Sequence, residues 1–206
     1  FFDIEVEGKY ATGDFVDASE NCPINCVSFM DEKSDKVYTY ILRNPENPLI
    51  QQFENEIASG QFGFQQIHDF VVEAVGGLKQ ATKYNLLNTQ FELSFYDDEF
   101  ELLKSLFRQI HICSPDFVEG WNSSAFDLEY IIGRCMYHNV NPADVLCDQS
   151  WEIKTINNYV DQRHINDLAE RGDFTFISGL PVFIDQMIQY ASRRKSKIGS
   201  FKSFKL

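Results

Sequence analysis

The chain has 206 residues, 44% of them apolar and 15% aromatic, and a net charge of −13. That length fits one domain with a sizeable core, which excludes wholesale disorder, and the acidic balance excludes indiscriminate binding to nucleic acid. No apolar run approaches the roughly 20 residues of a membrane span, so no membrane partner is expected, and no signal peptide is visible.

Residues 1–6 read as a buried strand, and the first residue is Phe rather than Met. The expectation is that the chain begins inside a longer protein. Pro23 to Met30 and Lys36 to Leu42 follow as a second and a third strand, joined by polar turns, which predicts a meander. Asn44-Pro45-Glu46-Asn47-Pro48 breaks the pattern. Leu49 to Ile57 and Ile67 to Val75 then have helical apolar spacing, punctuated by Gly60, Gly63, Gly76 and Gly77, and a helical insertion is placed at about 44–90.

Phe91 to Tyr96 reads as a further strand. Asp97-Asp98 stands at a capping position before Glu99 to Ile110, whose Phe100, Leu103, Leu106, Phe107 and Ile110 share one helical face. After Pro115, Phe117-Val118 leads into Trp121 as a short strand, and Phe126 to Tyr137 is a second strong helix. Asn139 to Asp144 reads as a turn. Phe174, Phe176 and Ile177 suit a β-hairpin, and Pro181 to Tyr190 suits a strand, a helix, or one passing into the other. Glu129 and Arg134 read as solvated charges and Trp121 as core. The order implies a mixed α/β sheet with helices packed against it, which fits a ribonuclease H-like fold.

Asp3 and Glu5 stand two apart on the first strand, so both carboxylates face one side while Ile4 faces the core. Carboxylates set among bulky apolar residues need a positive counterpart, and paired oxygen ligands suit Mg²⁺ or Mn²⁺. Asp127 opens a helix, where the dipole alone would favour it. Four scattered histidines and a Cys22–Cys26 pair without zinc-knuckle spacing make a structural zinc improbable; the five cysteines read as reduced thiols. Residues 193–206 hold six Lys and Arg and no acid, a tail able to touch phosphate.

Phe2-Asp3-Ile4-Glu5, then Pro115-Asp116-Phe117-Val118-Glu119-Gly120-Trp121-Asn122 and Phe126-Asp127-Leu128-Glu129-Tyr130-Ile131, closely resemble the first two motifs of the 3′–5′ exonuclease domain of family B DNA polymerases, with phage enzymes of the T4 type nearest. Asp97 to Leu103 is similar to the segment leading into the second motif, and Ser200 to Leu206 to the run before the third. The resemblance implies that residues 1–206 are an exonuclease domain, incomplete at both ends, that proofreads for a replicative polymerase. It implies two divalent ions, with Asp3 binding both, Glu5 helping to hold one and Asp127 the other. They would activate water against the 3′-terminal phosphodiester and release a deoxynucleoside monophosphate, with the ions roughly 4 Å apart. Asn122 and Phe126 would line the single-strand path.

The same resemblance implies a single-stranded 3′ end as substrate, other polymerase domains and a possible sliding clamp as partners, and action in the cytoplasm, that of the host if the source is viral. The family's third motif, Tyr followed four residues later by Asp, is read as missing: Phe100 follows Tyr96, Arg134 follows Tyr130 and Arg194 follows Tyr190. It is expected to lie beyond Leu206, and the fragment alone is expected to be nearly inactive. Asp185 stands in the strand that precedes that motif and is not a ligand in the family. The competing expectations are a non-catalytic module that guides single-stranded DNA or packs against polymerase domains, and an unrelated ribonuclease H-like nuclease.

Overall fold

In the computed structural model the described residues are 1–8, 18, 22–164 and 167–198, with the side chains of Phe64 and 194–198 excluded. The polar stretch from Gly8 to Cys22 that joins the first two expected strands falls mostly outside them, as do the basic tail beyond Arg193 and the Ser200–Leu206 run.

The meander forms as its alternation dictates. β1 (Phe2–Val6), β2 (Ile24–Asp31) and β3 (Lys36–Leu42) pair antiparallel in that order, and β4 (Gln90–Tyr96) joins β3 in parallel. The register aligns Phe2 with Phe29 and Tyr38, and Ile4 with Val27 and Tyr40, giving the sheet one apolar face. The opposite face aligns Asp3 with Ser28 and Thr39, and Glu5 with Cys26. A one-residue slip would exchange the two faces, so the buried rings fix where the acids point.

α1 (Pro48–Ala58), α2 (Phe64–Ala74) and α3 (Leu78–Lys83) lie between β3 and β4, in the stretch read as a helical insertion. The third of these gave no sequence signal of its own. α4 (Glu99–Cys113) starts at Asp98, whose side chain accepts the Phe100 and Glu101 amides, and ends at left-handed Ser114 before Pro115. Its Leu102, Leu103, Leu106, Phe107 and Ile110 are buried in one core cluster with the rings of the sheet.

β5 (Phe117–Gly120) and β8 (Val182–Asp185) form a separate parallel pair, with β5 running against β1. α5 (Asp127–Tyr137) follows β5, and its Leu128, Ile131 and Cys135 complete the core. The stretch read as a turn holds left-handed Asn139 and then a short helix, α6 (Pro142–Leu146), capped by Asn141. The expected hairpin is β6 (Ile156–Tyr159) paired antiparallel with β7 (Phe174–Ile177). Pro181 to Tyr190 is a strand passing into a helix: β8 leads directly into α7 (Gln186–Ile198).

Candidate metal-binding carboxylate site

Among the described residues strand β1 is the edge of its sheet, and the site forms there. Phe1 and Met30 exchange both backbone hydrogen bonds, so the amides of Asp3 and Glu5 face β2 and the Ile4 amide faces away from it. The Ile4 amide donates instead to Asp127 Oδ1 at 3.0 Å. The first turn of α5 is thereby fastened to the strand that carries the other two acids.

β5 brings α5 into this position. A Cβ on Gly120 would lie 2.5 Å from Ser123 Cβ and 3.1 Å from the Phe2 carbonyl oxygen, so only glycine lets the end of β5 come this close to β1. The chain then turns through Asn122, which is left-handed at φ +59°, before Phe126 and Asp127.

Asp127 is 1% exposed, and its carboxyl lies close enough to that of Asp3 for each to influence the other's titration. Burial pushes the Asp127 pKa up to about 7, with the Asp3 charge adding to it and the Ile4 amide opposing it. Asp3 is also raised, mainly by its burial. The influences on Asp127 are burial and neighbouring carboxylates rather than a basic side chain. A hard divalent cation is the counterpart that two such oxygen donors suit.

Glu5 stands on the same strand face, exposed, opposite Cys26. The Cys26 thiol is pushed up to about 11 by burial, and the charges of Glu5 and Asp3 add to this. Among the described residues no three His, Cys, Asp or Glu side chains converge into a group that could hold a metal. The structure therefore brings Asp3 and Asp127 together and leaves Glu5 beside them. Asn122 and Phe126 flank this pair on the connecting loop; Phe126 is half-buried, its ring 5.9 Å from that of Tyr130.

Arg134 is not a solvated charge. It is 2% exposed, and its guanidinium donates to both oxygens of the buried Glu99, at 3.0 and 2.7 Å. Glu99 Oε1 also accepts the Ile24 amide at 2.9 Å, so one ion pair ties α4, α5 and β2 together. Glu129 is exposed as expected, and accepts from Asn158. Trp121 is half-buried beside Tyr190 rather than in the core.

The Tyr-x-x-x-Asp spacing does occur once, at Tyr10 and Asp14, contrary to its reading as missing. These residues precede the second motif and lie outside the described residues. No tyrosine after Asp127 has the spacing.

A mixed sheet whose first strand presents acids beside a helix-borne Asp, with helices packed against it, is a ribonuclease H-like fold. The sequence model of the family "DNA polymerase family B, exonuclease domain" matches residues 1–171, and the chain belongs to that family. The DNA polymerase catalytic subunit of Elephantid herpesvirus 1 (isolate Asian elephant/Berlin/Kiba/1998) is similar to it, at 43% identity over 42 residues. That stretch is 20% of this chain and 4% of the herpesvirus protein, so the chain spans a small part of that relative's length.

Proposed function

We propose that this chain is the proofreading 3′–5′ exonuclease domain of a replicative family B DNA polymerase, acting on a single-stranded 3′ end of DNA. The observation that carries the reading is the Ile4 amide's bond to Asp127, which sets that acid beside Asp3 at the edge of the sheet. Asp3, Glu5 and Asp127 would hold two Mg²⁺ or Mn²⁺ ions. Bound there, the ions would supply an activated water and stabilise the departing 3′ oxygen.

The chain's own residues do the positioning. The Ile4 amide fixes one Asp127 oxygen and holds the start of α5 against β1. Strand β1 holds Asp3 and Glu5 on one face without a loop's freedom. Asn122 and Phe126 would guide the single strand toward the pair, with Phe126 offering a ring for base contact. Other polymerase domains would supply most of the DNA affinity, since this chain's charge is −13. A sliding clamp as a further partner, the closer likeness to phage enzymes, and action in the cytoplasm, that of the host if the source is viral, belong to the same proposal.

With no Tyr-x-x-x-Asp after the second motif, this chain by itself is expected to hydrolyse DNA only weakly. The experiment is release of mononucleotides from a labelled single-stranded oligodeoxynucleotide by a polymerase carrying this domain, in Mg²⁺. Loss of release in Asp3→Ala and Asp127→Ala, with polymerisation retained, supports the reading. Release that survives both substitutions rejects it in favour of a non-catalytic module.

A further inference from the structure

Asp185 lies on the strand β8, remote in sequence from the acidic motifs, yet its carboxylate is buried beneath the loop that connects β5 to α5. Oδ1 accepts the Asn122 amide at 3.0 Å and the Met187 amide at 3.0 Å, and Oδ2 accepts the Ser124 amide at 3.3 Å. A carboxylate offers about four lone-pair sites, and three amides occupy most of them. Asp185 is thus a receptor for backbone amides rather than a free ligand for a cation.

One amide, that of Met187, belongs to the start of α7 and two belong to the loop. The first bond is ordinary helix capping. The loop pair has no such explanation. Asn122 is left-handed, a conformation uncommon outside glycine that Asn adopts more readily than most residues. From there the Asn122 carbonyl accepts the Phe126 amide at 2.9 Å and the Ser123 carbonyl accepts the Leu128 amide at 2.9 Å. The clamp is therefore continuous with the turn that delivers Phe126 and Asp127.

We propose that Asp185 is a positioning residue, whose carboxylate clamps loop 121–126 and sets where Asn122, Phe126 and Asp127 stand for binding the DNA strand. The consequence for DNA rests on the nuclease reading; the clamp itself does not.

Asp185→Ser separates the two roles, because serine can still cap α7 but is too short to reach the loop amides. Amide hydrogen exchange of this chain reads the clamp. The Asn122 and Ser124 amides are expected to exchange at least about tenfold faster, with α4 and α7 amides unchanged. Unchanged protection of Asn122 and Ser124 overturns the proposal. Asp185→Asn is the second variant, expected to release the Ser124 amide in the same way.

Affinity for a short oligothymidylate in Ca²⁺, read by fluorescence anisotropy, tests the consequence. Asp185→Ser is expected to weaken it at least about fivefold more than Leu106→Val, a core variant remote from the loop. Equal weakening of the two variants overturns the proposal. If the native chain does not bind the oligonucleotide, the consequence for DNA fails and loop exchange alone decides the clamp.

Discussion

Asp127 accepts the Ile4 amide at 3.0 Å, which fastens the first turn of α5 to the edge strand β1. The acid that opens a helix and the acids that alternate along a strand are distant in sequence, and this bond holds them together. Asp3 and Asp127 then face each other with burial, not a basic side chain, as the largest influence on each.

The pH dependence of the metal-free chain follows from that contact. Asp127 has a folded pKa of about 7 against an ordinary value of 3.8. A raised carboxyl binds its proton more tightly when folded, so its stabilisation is complete below about pH 4 and is lost as pH rises toward 7. The loss is up to about 4 kcal/mol. Thermal melts in chelator are expected to fall over this window, and Asp127→Asn is expected to flatten the fall.

Arg134→Ala leaves Glu99 charged and buried without its partner, and is expected to cost about 3–5 kcal/mol in urea denaturation. A Glu99→Leu/Arg134→Met double variant is expected to recover only part of this. The Ile24 amide loses its acceptor in the double variant.

Gly120→Ala places a methyl 2.5 Å from Ser123 Cβ, and is expected to cost about 1–3 kcal/mol by urea denaturation. Amide exchange in loop 121–126 is expected to rise with it, because the loop is what must yield.

Asn158→Ala removes the bonds from the β6–β7 hairpin to the Ser124 carbonyl and to Glu129. Its expected cost is about 1 kcal/mol, read in thermal melts, with faster amide exchange in β6 and β7 but not in α4.

Much of this was legible because local rules and the fold agree. Alternation in Phe2-Asp3-Ile4-Glu5 gave both the strand and the face of its acids, and Asp98 before an apolar stripe gave the start of α4. Arg134 was misjudged because a charge on a helix ordinarily reads as solvent-facing. Its place on the Leu128–Ile131–Cys135 stripe was visible, but its partner Glu99 is 35 residues away, and no spacing announces such a pair. Asp185 was recognised as an acid outside the motifs, but its bonds are to backbone amides, which leave no trace in side-chain identity. Helices α3 and α6 were passed over because six and five residues are too few for an apolar period to show.

The most direct test of the central claim is calorimetric titration of this chain with Mn²⁺ at pH 7.5. The account predicts binding that raises the thermal midpoint and is lost in both Asp3→Ala and Asp127→Ala. Absence of Mn²⁺ binding, or binding that survives in either variant, would contradict it.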